Sequence, residues 1–317
     1  MRARSLLVTV YGDSIRTRGG EVGLGSLIRI MAPLGLTPRA VRAATVRMAR
    51  QGWLQTRRVG RRAFYSLTAS GAWRVEQGVR RVYRLDPDPW DGRWRLLTYT
   101  IPEGRRPVRD RLRRELVWLG LGPLSRSTWL TPHEMADLVR ELVAAHGVQD
   151  RVALFEATHL GPTEARALTA RCWDLAAIAA RYRGFTEATR RRAALLRRRL
   201  RNGTLSDAEC FAERTRLVHE YRKFLFVDPG LPDALLPAAW PGKDAAQAFR
   251  DVYRLLTGPA TRFLDAAFEP PPGRPRVLDG DPFSWATASK PRVRVGDDQQ
   301  QEMLCHLRQW ERGNVSH

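Results

Sequence analysis

The sequence predicts an α+β protein of three successive segments, and three observations lead to this class. Residues 26–67 join two helical patterns to an alternating stretch that is typical of a hairpin. Residues 93–158 alternate strand and helix patterns in the order β, α, β, α, β. From about residue 161 the apolar spacing is helical, so the third segment is expected to consist of helices.

The stretch TPRAVRAATVRMARQGWL, residues 37–54, predicts an amphipathic helix with an unusual outer face. At about 100° per residue, Val41, Ala44 and Met48 share one side, which is the spacing of a buried stripe. Thr37 is a suitable N-terminal cap. The opposite side carries Arg39, Arg42, Ala43, Val46, Arg47 and Arg50. Because the stretch contains no Asp or Glu, this face repels itself unless an anionic partner neutralises it.

The next stretch, WLQTRRVGRRAFYSLT, alternates in character around Gly60 and predicts a hairpin with a basic tip. A helix-turn-helix followed by a basic hairpin is the pattern of a winged helix, whose second helix enters the major groove of DNA. The helix arginines can grip phosphate or guanine, and Ala43 and Val46 can meet thymine methyl groups. The wing arginines expected to meet phosphates are Arg57, Arg58, Arg61 and Arg62. The alternative is a small helical domain with a solvated basic face.

The charge of the chain favours a polyanionic partner, either nucleic acid or an anionic membrane. Lysines and arginines number 54 against 33 acids, a formal net charge of +21, and residues 1–90 alone hold 17 arginines and 5 acids. Only three of the basic residues are lysines, so part of the arginine excess is attributable to a GC-rich genome. The apolar run from Leu6 to Tyr11 is far shorter than a membrane span. We therefore expect a soluble cytoplasmic protein that binds double-stranded DNA and no membrane.

Composition changes along the chain predict the domain boundaries. The segment DPDP, residues 86–89, is a stiff polar joint, and the segment that follows it is expected to form a compact ferredoxin-like α+β domain. The stretch EPPPGRPRVLDGDP after residue 268 is too rich in Pro, Gly and charge to hold a core, so a flexible tail is expected. The predicted domains are a winged helix at 1–86, the ferredoxin-like domain at 87–160, a helical domain at 161–268 and the tail at 269–317.

Three blocks in the same order resemble one bacterial family. They are the N-terminal stretch LLVTVYGDSIRTRGGEVGLGSLIRIMAPLGLTPRAVRAATVRMARQGWLQTRRVGRRAFYSLTASG, the central pair WDGRWRLLTYTIPE and STWLTP, and the later stretch LVHEYRKFLFVDPGLPDALLPAAWPG. With these blocks the chain resembles the PaaX-like regulators, the repressors of phenylacetic acid degradation. The resemblance implies a DNA-binding repressor of aromatic catabolism genes that is released from its operator by an acyl-CoA effector, typically phenylacetyl-CoA. We expect this repressor to act as a homodimer.

The central segment is also similar to small CRISPR-associated dimeric nucleases, whose first strand ends in Tyr-Asp-Ile-Pro. In those proteins the Asp helps to hold a metal ion, whereas this chain has Thr100 at that position. A neutral hydroxyl does not replace a carboxylate as an anchor for Mg²⁺, and Glu103 nearby does not by itself make a site. We therefore expect a dimerisation or spacer domain, and metal-dependent nuclease activity remains only an alternative.

Other enzymatic or metal-binding patterns are missing from the sequence. The three cysteines, Cys172, Cys210 and Cys305, are too widely spaced for a disulfide framework or a metal knuckle. None of the six histidines forms an i, i+4 pair, and no Ser-His-Asp order or phosphate-binding Gly loop occurs. We expect no catalytic residue, no metal and no cofactor.

Two segments are candidates for effector contacts. Residues 190–201, RRRAALLRRRLR, can receive the phosphates of a coenzyme A ligand, contact flanking DNA, or be solvated. In the later block, the candidate effector residues are His219, Tyr221, Arg222 and Trp240. This mixture fits an acyl pocket, and it fits equally a core with a capped loop. A low-specificity architectural DNA-binding protein is the alternative to a repressor, and it would bind with steep salt dependence and little sequence preference.

Overall fold

The computed structural model describes residues 3–83, 89–161, 164–273 and Phe283. The helices are α1 (Ala3–Val10), α2 (Leu24–Met31), α3 (Pro38–Arg50), α4 (Ala69–Tyr83), α5 (Arg106–Trp118), α6 (Ala136–Ala145), α7 (Ala165–Cys172), α8 (Leu175–Arg201), α9 (Asp207–Tyr221) and α10 (Gly242–Ala267). The strands are β1 (Glu21–Gly23), β2 (Leu54–Val59), β3 (Arg62–Leu67), β4 (Trp94–Tyr99), β5 (Gly122–Pro123), β6 (Thr128–Thr131) and β7 (Val152–Ala157).

The described chain forms two compact units. Unit 1 combines the described residues within Met1–Arg84, Phe185–Arg222 and Ala245–His317, and unit 2 combines those within Leu85–Gly184 and Lys223–Asp244. The division therefore differs from the predicted order of successive domains, because the helical segment after residue 161 contributes to both units. The long helices α8 and α10 each begin in unit 2 and end in unit 1.

Unit 1 contains the predicted winged helix. Helices α2 and α3 are joined by a short turn over Ala32–Leu34, and Gly35 closes that turn with a φ of 81°. The three strands form an antiparallel sheet in the order β1-β3-β2, with Leu54 paired to Leu67 and Val59 to Arg62. The sheet thus joins the hairpin to the strand that precedes the helix-turn-helix.

A buried polar cluster lies in the centre of unit 1. The carboxylate of Asp13 accepts hydrogen bonds from the hydroxyls of Tyr83 and Tyr253, the latter at 2.8 Å. Nη2 of Arg214 lies 3.3 Å from the second carboxylate oxygen, and the side chains of this ion pair are only 2% and 1% exposed. Burial and the nearby Asp13 charge raise the pKa of Tyr83 well above its ordinary value, so its phenol remains a donor. The cluster joins the turn after α1 to α4, α9 and α10.

Phe283 is buried in unit 1 although the predicted tail includes it. Its ring packs at 5.4 Å against both Tyr83 and Tyr253 and at 5.9 Å against Phe249, measured between ring centroids. The rest of the predicted tail beyond residue 273 lies outside the described residues, as does most of the predicted joint at residues 86–89.

Unit 2 contains a four-stranded antiparallel sheet in the order β5-β6-β4-β7. Together with α5 and α6, these strands follow one another along the chain in the order βαββαβ, which is the ferredoxin-like arrangement. Trp94 and Leu130 from the sheet pack with Leu168, Cys172 and Leu235 in one apolar cluster. The α+β class, the winged helix and the ferredoxin-like domain are confirmed, whereas strand β5 was not predicted, because two residues are too short to show an alternating pattern.

Among the described residues, no helix has both the length and the apolar character needed to cross a membrane.

Candidate nucleic-acid interface

Helix α3 has the cap and the buried side that its sequence predicts. The Thr37 hydroxyl accepts a hydrogen bond from the backbone N–H of Ala40 at 3.2 Å, which satisfies one free donor of the first turn. Val41 and Met48 are fully buried, and Ala44 is 7% exposed. Burial of this side fixes the rotation of the helix about its axis and so determines which residues face outward.

The outward side of α3 is a basic surface, which we call the recognition face. It consists of Arg39, Arg42, Ala43, Val46, Arg47 and Arg50, all of them exposed, which together line a shallow concavity of about 560 Å³. Val46, at the centre of this outward side, is 43% exposed. Within the described part of the chain, none of the four arginines forms an ion pair with an acid. Their charges are therefore available to an external anion.

The wing, formed by β2, β3 and the turn between them, adds charge beside the same unit's helix-turn-helix. Gly60 occupies the turn with a φ of 56°, a left-handed conformation that glycine adopts at little cost. Arg58 and Arg61 are exposed at this end of the hairpin. As far as the structure describes the chain, neither has an acidic partner.

The other two wing arginines, Arg57 and Arg62, pair with acids of the same chain. The sequence predicted phosphate contacts for both and did not predict these pairs. Arg57 donates two hydrogen bonds of 2.8 Å to the carboxylate of Glu21, and its guanidinium lies 5.4 Å from the Phe64 ring centroid. The hydrogen bond to Glu21 raises the pKa of Arg57. Arg62 lies 3.6 Å from Glu269 in a solvent-exposed pair. Arg57 is thus a structural residue of the sheet, and Arg62 is partly neutralised.

Arg4 on α1 is a basic residue near the recognition face that sequence reasoning missed. Its guanidinium lies 5.5 Å from the ring centroid of Trp53, and that of Arg74 lies 5.1 Å from the same residue's ring. Burial, and then the charge of Arg47, lowers the pKa of Arg4. No local pattern reveals this placement, because Arg4 reaches the helix-turn-helix only through tertiary packing.

The structure brings three of the four candidate effector residues into internal contacts of unit 1. His219 shares a 3.0 Å hydrogen bond with the hydroxyl of Thr9, and Tyr221 stacks on Phe249 at a centroid distance of 4.2 Å. Arg222 donates to the carbonyl oxygen of Ser5 at 3.1 Å, and burial lowers the pKa of Arg222 to about 10.

The fourth candidate, Trp240, belongs to unit 2, where its ring lies 6.0 Å from that of Tyr182. His219, Tyr221 and Arg222 connect the end of α9 to α1 and α10, and their assignment to an effector stays a prediction.

Among the described residues, no three His, Cys, Asp or Glu side chains lie close enough together to hold a metal ion. Thr100 is exposed at the end of β4, where its backbone N–H donates to the carbonyl of Arg151 at 2.9 Å. Glu103 accepts a 2.8 Å hydrogen bond from Arg109, and this bond lowers the pKa of Glu103. The carboxylate of Glu103 is therefore paired with Arg109.

The helix-turn-helix and the hairpin that follows it place this chain in the class of winged-helix proteins. The second helix has a basic outer face, and a ferredoxin-like domain follows in the sequence. Family models match three parts of the chain: PaaX-like protein at residues 2–71, the PaaX protein central Cas2-like domain at 87–169 and the PaaX-like protein C-terminal domain at 173–266. The chain belongs to the PaaX-like family. It is 35% identical over 265 residues to the transcriptional repressor PaaX of Escherichia coli (strain K12), with 82% of each chain covered.

A solved structure has a related fold. The uncharacterized protein Rv0674 from Mycobacterium tuberculosis is 25% identical to this chain, with a TM-score of 0.51. The similarity covers 84% of this chain and 98% of that one.

Proposed function

We propose that this protein is a DNA-binding transcriptional repressor whose α3 reads its operator in the major groove. The observation that carries the proposal is the recognition face, where four arginines are exposed without an acidic partner in the described chain. Uncompensated arginines on an outward helical face attract the phosphates of DNA and release counterions on binding. The similarity to a repressor in Escherichia coli supports the same function.

The recognition face contains two kinds of chemistry that sequence-specific contact requires. Arginine donates two hydrogen bonds to O6 and N7 of guanine, or grips phosphate, and a small apolar side chain fits against the methyl group of thymine. Ala43 and Val46 lie between the arginines on the outer side of α3. We assign the base contacts to the recognition face, and the phosphate contacts to Arg58 and Arg61 of the wing.

The repressor is proposed to act as a homodimer on a roughly palindromic operator. A two-fold protein presents two recognition helices, and the two half-sites must then match their spacing along the groove. The ferredoxin-like domain is proposed to be a dimerisation or spacer domain with no catalysis. Thr100 at the place of the nuclease carboxylate, and the engagement of Glu103 by Arg109, support this assignment.

The proposed effector is an acyl-CoA, such as phenylacetyl-CoA, and aromatic catabolism genes are the proposed targets. Release of DNA requires that the effector bind more tightly to a state with low operator affinity than to the DNA-bound state. A repressor without such differential affinity would bind the thioester and remain on its operator.

The test is fluorescence anisotropy of the full chain on its own upstream promoter DNA and on a scrambled duplex of equal length. Phenylacetyl-CoA and free phenylacetate are titrated separately into the promoter complex. We expect promoter-selective binding that only the thioester reverses. Equal affinity for both duplexes with a steep salt dependence would instead identify an architectural DNA-binding protein, and selective binding that ignores both compounds would remove the effector from the proposal.

A further inference from the structure

An open cleft of about 840 Å³ lies within unit 1, and none of its lining residues belongs to the recognition face. It is lined by the end of α2 and the turn before α3, by α8 and α9, and by the last turns of α10. A volume of this size matches the range of small-molecule sites, about 300–1,000 Å³. The cleft therefore has room for a ligand, and its wall includes the turn of the helix-turn-helix.

The lining of the cleft has an apolar part, which we call the floor, and a charged part, which we call the rim. Ala208 and Ala212 of α9 form the floor together with Phe263 and Ala266 of α10. Ala266 is exposed, so its methyl group is accessible from solvent. Small residues next to one aromatic ring leave a surface on which a flat apolar group can lie.

The rim of the cleft is cationic. Four arginines line it, Arg29, Arg192, Arg199 and Arg216, against the two acids Glu209 and Glu213. All four arginines have an acidic partner. Arg192 and Arg216 both pair with Glu213, at 2.8 and 3.1 Å, Arg199 pairs with Glu209 at 2.9 Å, and Arg29 pairs with Glu269 at 2.8 Å. The positive excess and the partial exposure of all four guanidinium groups favour a ligand that carries several negative charges.

We infer that this cleft is the effector site, and that it takes an amphipathic anion with its apolar group on the alanine and phenylalanine floor and its phosphates at the arginine rim. The inference rests on the proposed function, since an acyl-CoA with an aromatic acyl group has this chemistry. His219, Tyr221 and Arg222 do not line this cleft.

Two rim arginines hold the helix-turn-helix to the rest of unit 1, which gives the site a route to DNA affinity. Nη2 of Arg216 on α9 donates to the carbonyl oxygen of Pro33, in the turn before α3, at 3.4 Å. Nε of Arg29 on α2 donates to the carbonyl oxygen of Ala267 at 3.2 Å, and Nη2 bonds Glu269 at 2.8 Å. An anion that recruits these guanidinium groups withdraws them from their present acceptors, and α2 and the turn before α3 lose two attachments.

Glu269 extends the same connection to the wing, because it is also the partner of Arg62 at 3.6 Å. A ligand that takes Arg29 from Glu269 therefore changes the acid's pairing with a wing residue. The helix-turn-helix and the wing are thus both one contact away from the cleft rim.

The test measures binding of phenylacetyl-CoA to the full chain by calorimetry without DNA, with coenzyme A and phenylacetate as separate probes. Ala266→Trp fills the floor from an exposed position, and Arg216→Gln removes a rim charge. Matched controls are Ala194→Trp and Arg197→Gln, which change exposed residues of α8 that do not line the cleft. Thermal unfolding of each variant identifies any that fails to fold.

We expect both cleft variants to bind phenylacetyl-CoA about tenfold more weakly than the wild type, whereas both controls bind it as the wild type does. Coenzyme A alone and phenylacetate alone should each bind more weakly than the thioester, because each contacts only the rim or only the floor. Unchanged affinity in both cleft variants, or no binding by the wild type, overturns the assignment. Promoter anisotropy of the same preparations reports separately on the repressor, so loss of the cleft proposal leaves that result intact.

Discussion

Arg57 of the wing donates two hydrogen bonds of 2.8 Å to the carboxylate of Glu21, which lies on strand β1 of the same sheet. The Glu21 side chain is only 3% exposed, so Arg57 is the group that neutralises a buried carboxylate. This pair separates two roles among the wing arginines. Arg57 stabilises the sheet, whereas Arg58 and Arg61 remain available to DNA.

Replacement of Arg57 by Ala is expected to lower the melting temperature of the protein. The substitution removes two charge-assisted hydrogen bonds from the buried Glu21 carboxylate, and removal of one member of a partly buried ion pair is costly. Differential scanning calorimetry of the full chain at neutral pH measures the effect. The matched control is Arg58→Ala, which removes the same charge one residue away.

For Arg58→Ala we expect an unchanged melting temperature and a weaker DNA affinity. The slope of log affinity against log salt should fall by about one, as for the loss of one phosphate contact. If Arg57→Ala instead keeps its stability and shows the Arg58→Ala salt slope, Arg57 is a DNA contact and its pairing with Glu21 is not retained in the complex.

Replacement of Arg42 by Ala is expected to weaken promoter binding by about 1–3 kcal/mol with no change in melting temperature. Arg42 is exposed at the centre of the recognition face and has no ion pair in the described chain, so the folded state loses no internal contact. Anisotropy on promoter and scrambled duplexes measures the affinity ratio.

Arg113→Ala, at an exposed site on α5, is the control for the loss of one positive charge. It should leave the affinity ratio between the promoter and the scrambled duplex unchanged. An unaltered promoter affinity in Arg42→Ala would remove this residue from the interface.

Periodicity was sufficient to place the recognition face, because a single helix determines its own inner and outer sides. Once Val41 and Met48 are buried, Arg42 must point outward. Pairing between distant elements is not encoded in this way. Glu21 precedes Arg57 by 36 residues, and Thr9 precedes its partner His219 by 210. The internal roles of Arg57 and His219 therefore became visible only in the folded structure.

Replacement of Asp13 by Asn is expected to destabilise the protein by about 3–5 kcal/mol, because it removes the negative member of the buried Asp13–Arg214 ion pair. Tyr83 and Tyr253 also lose a charged acceptor. Urea unfolding at neutral pH measures the free energy of unfolding.

The comparison variant is Asp207→Asn, whose partner Arg262 lies at the surface with a side chain that is 65% exposed. Solvent screens this second pair, so its unfolding curve should match that of the wild type. Equal curves for the two variants would show that the Asp13 cluster contributes no more than a surface ion pair.

Glu209 is expected to make stability depend on acid pH. Its carboxylate accepts hydrogen bonds from the backbone N–H and hydroxyl of Ser206 and from Arg199, and these lower its pKa from 4.5 to about 2. The pKa of the folded state is below that of the unfolded state. The stabilisation is therefore fully present above about pH 4.5 and is lost as the pH falls towards 2.

Glu209→Gln removes this titration. In urea unfolding at a series of pH values, the wild type should exceed the variant in stability above pH 4.5, and the difference should shrink steadily below it. A difference that stays constant across this range would mean that the cap stabilises α9 without a contribution from the charge.

Gly122, in the short strand β5 that the sequence pattern did not predict, is required for close packing in unit 2. A Cβ atom at this position would lie 2.6 Å from Cε2 of Trp173 and 2.7 Å from Cβ of Cys172, so neighbouring groups would have to move. Gly122→Ala is therefore expected to destabilise the protein by about 1–3 kcal/mol.

The matched control is Gly184→Ala in the same unit. Gly184 lies within α8, and no described atom outside its own helix lies within 4 Å of a Cβ built there. Alanine loses less backbone entropy than glycine on folding, so this variant should be stabilised by about 0.5–1 kcal/mol. If urea unfolding shows a lower free energy of unfolding for Gly122→Ala and a higher one for Gly184→Ala, the loss at Gly122 arises from its close contact with Trp173. Stabilisation of both would show that β5 can move away from this ring at little cost.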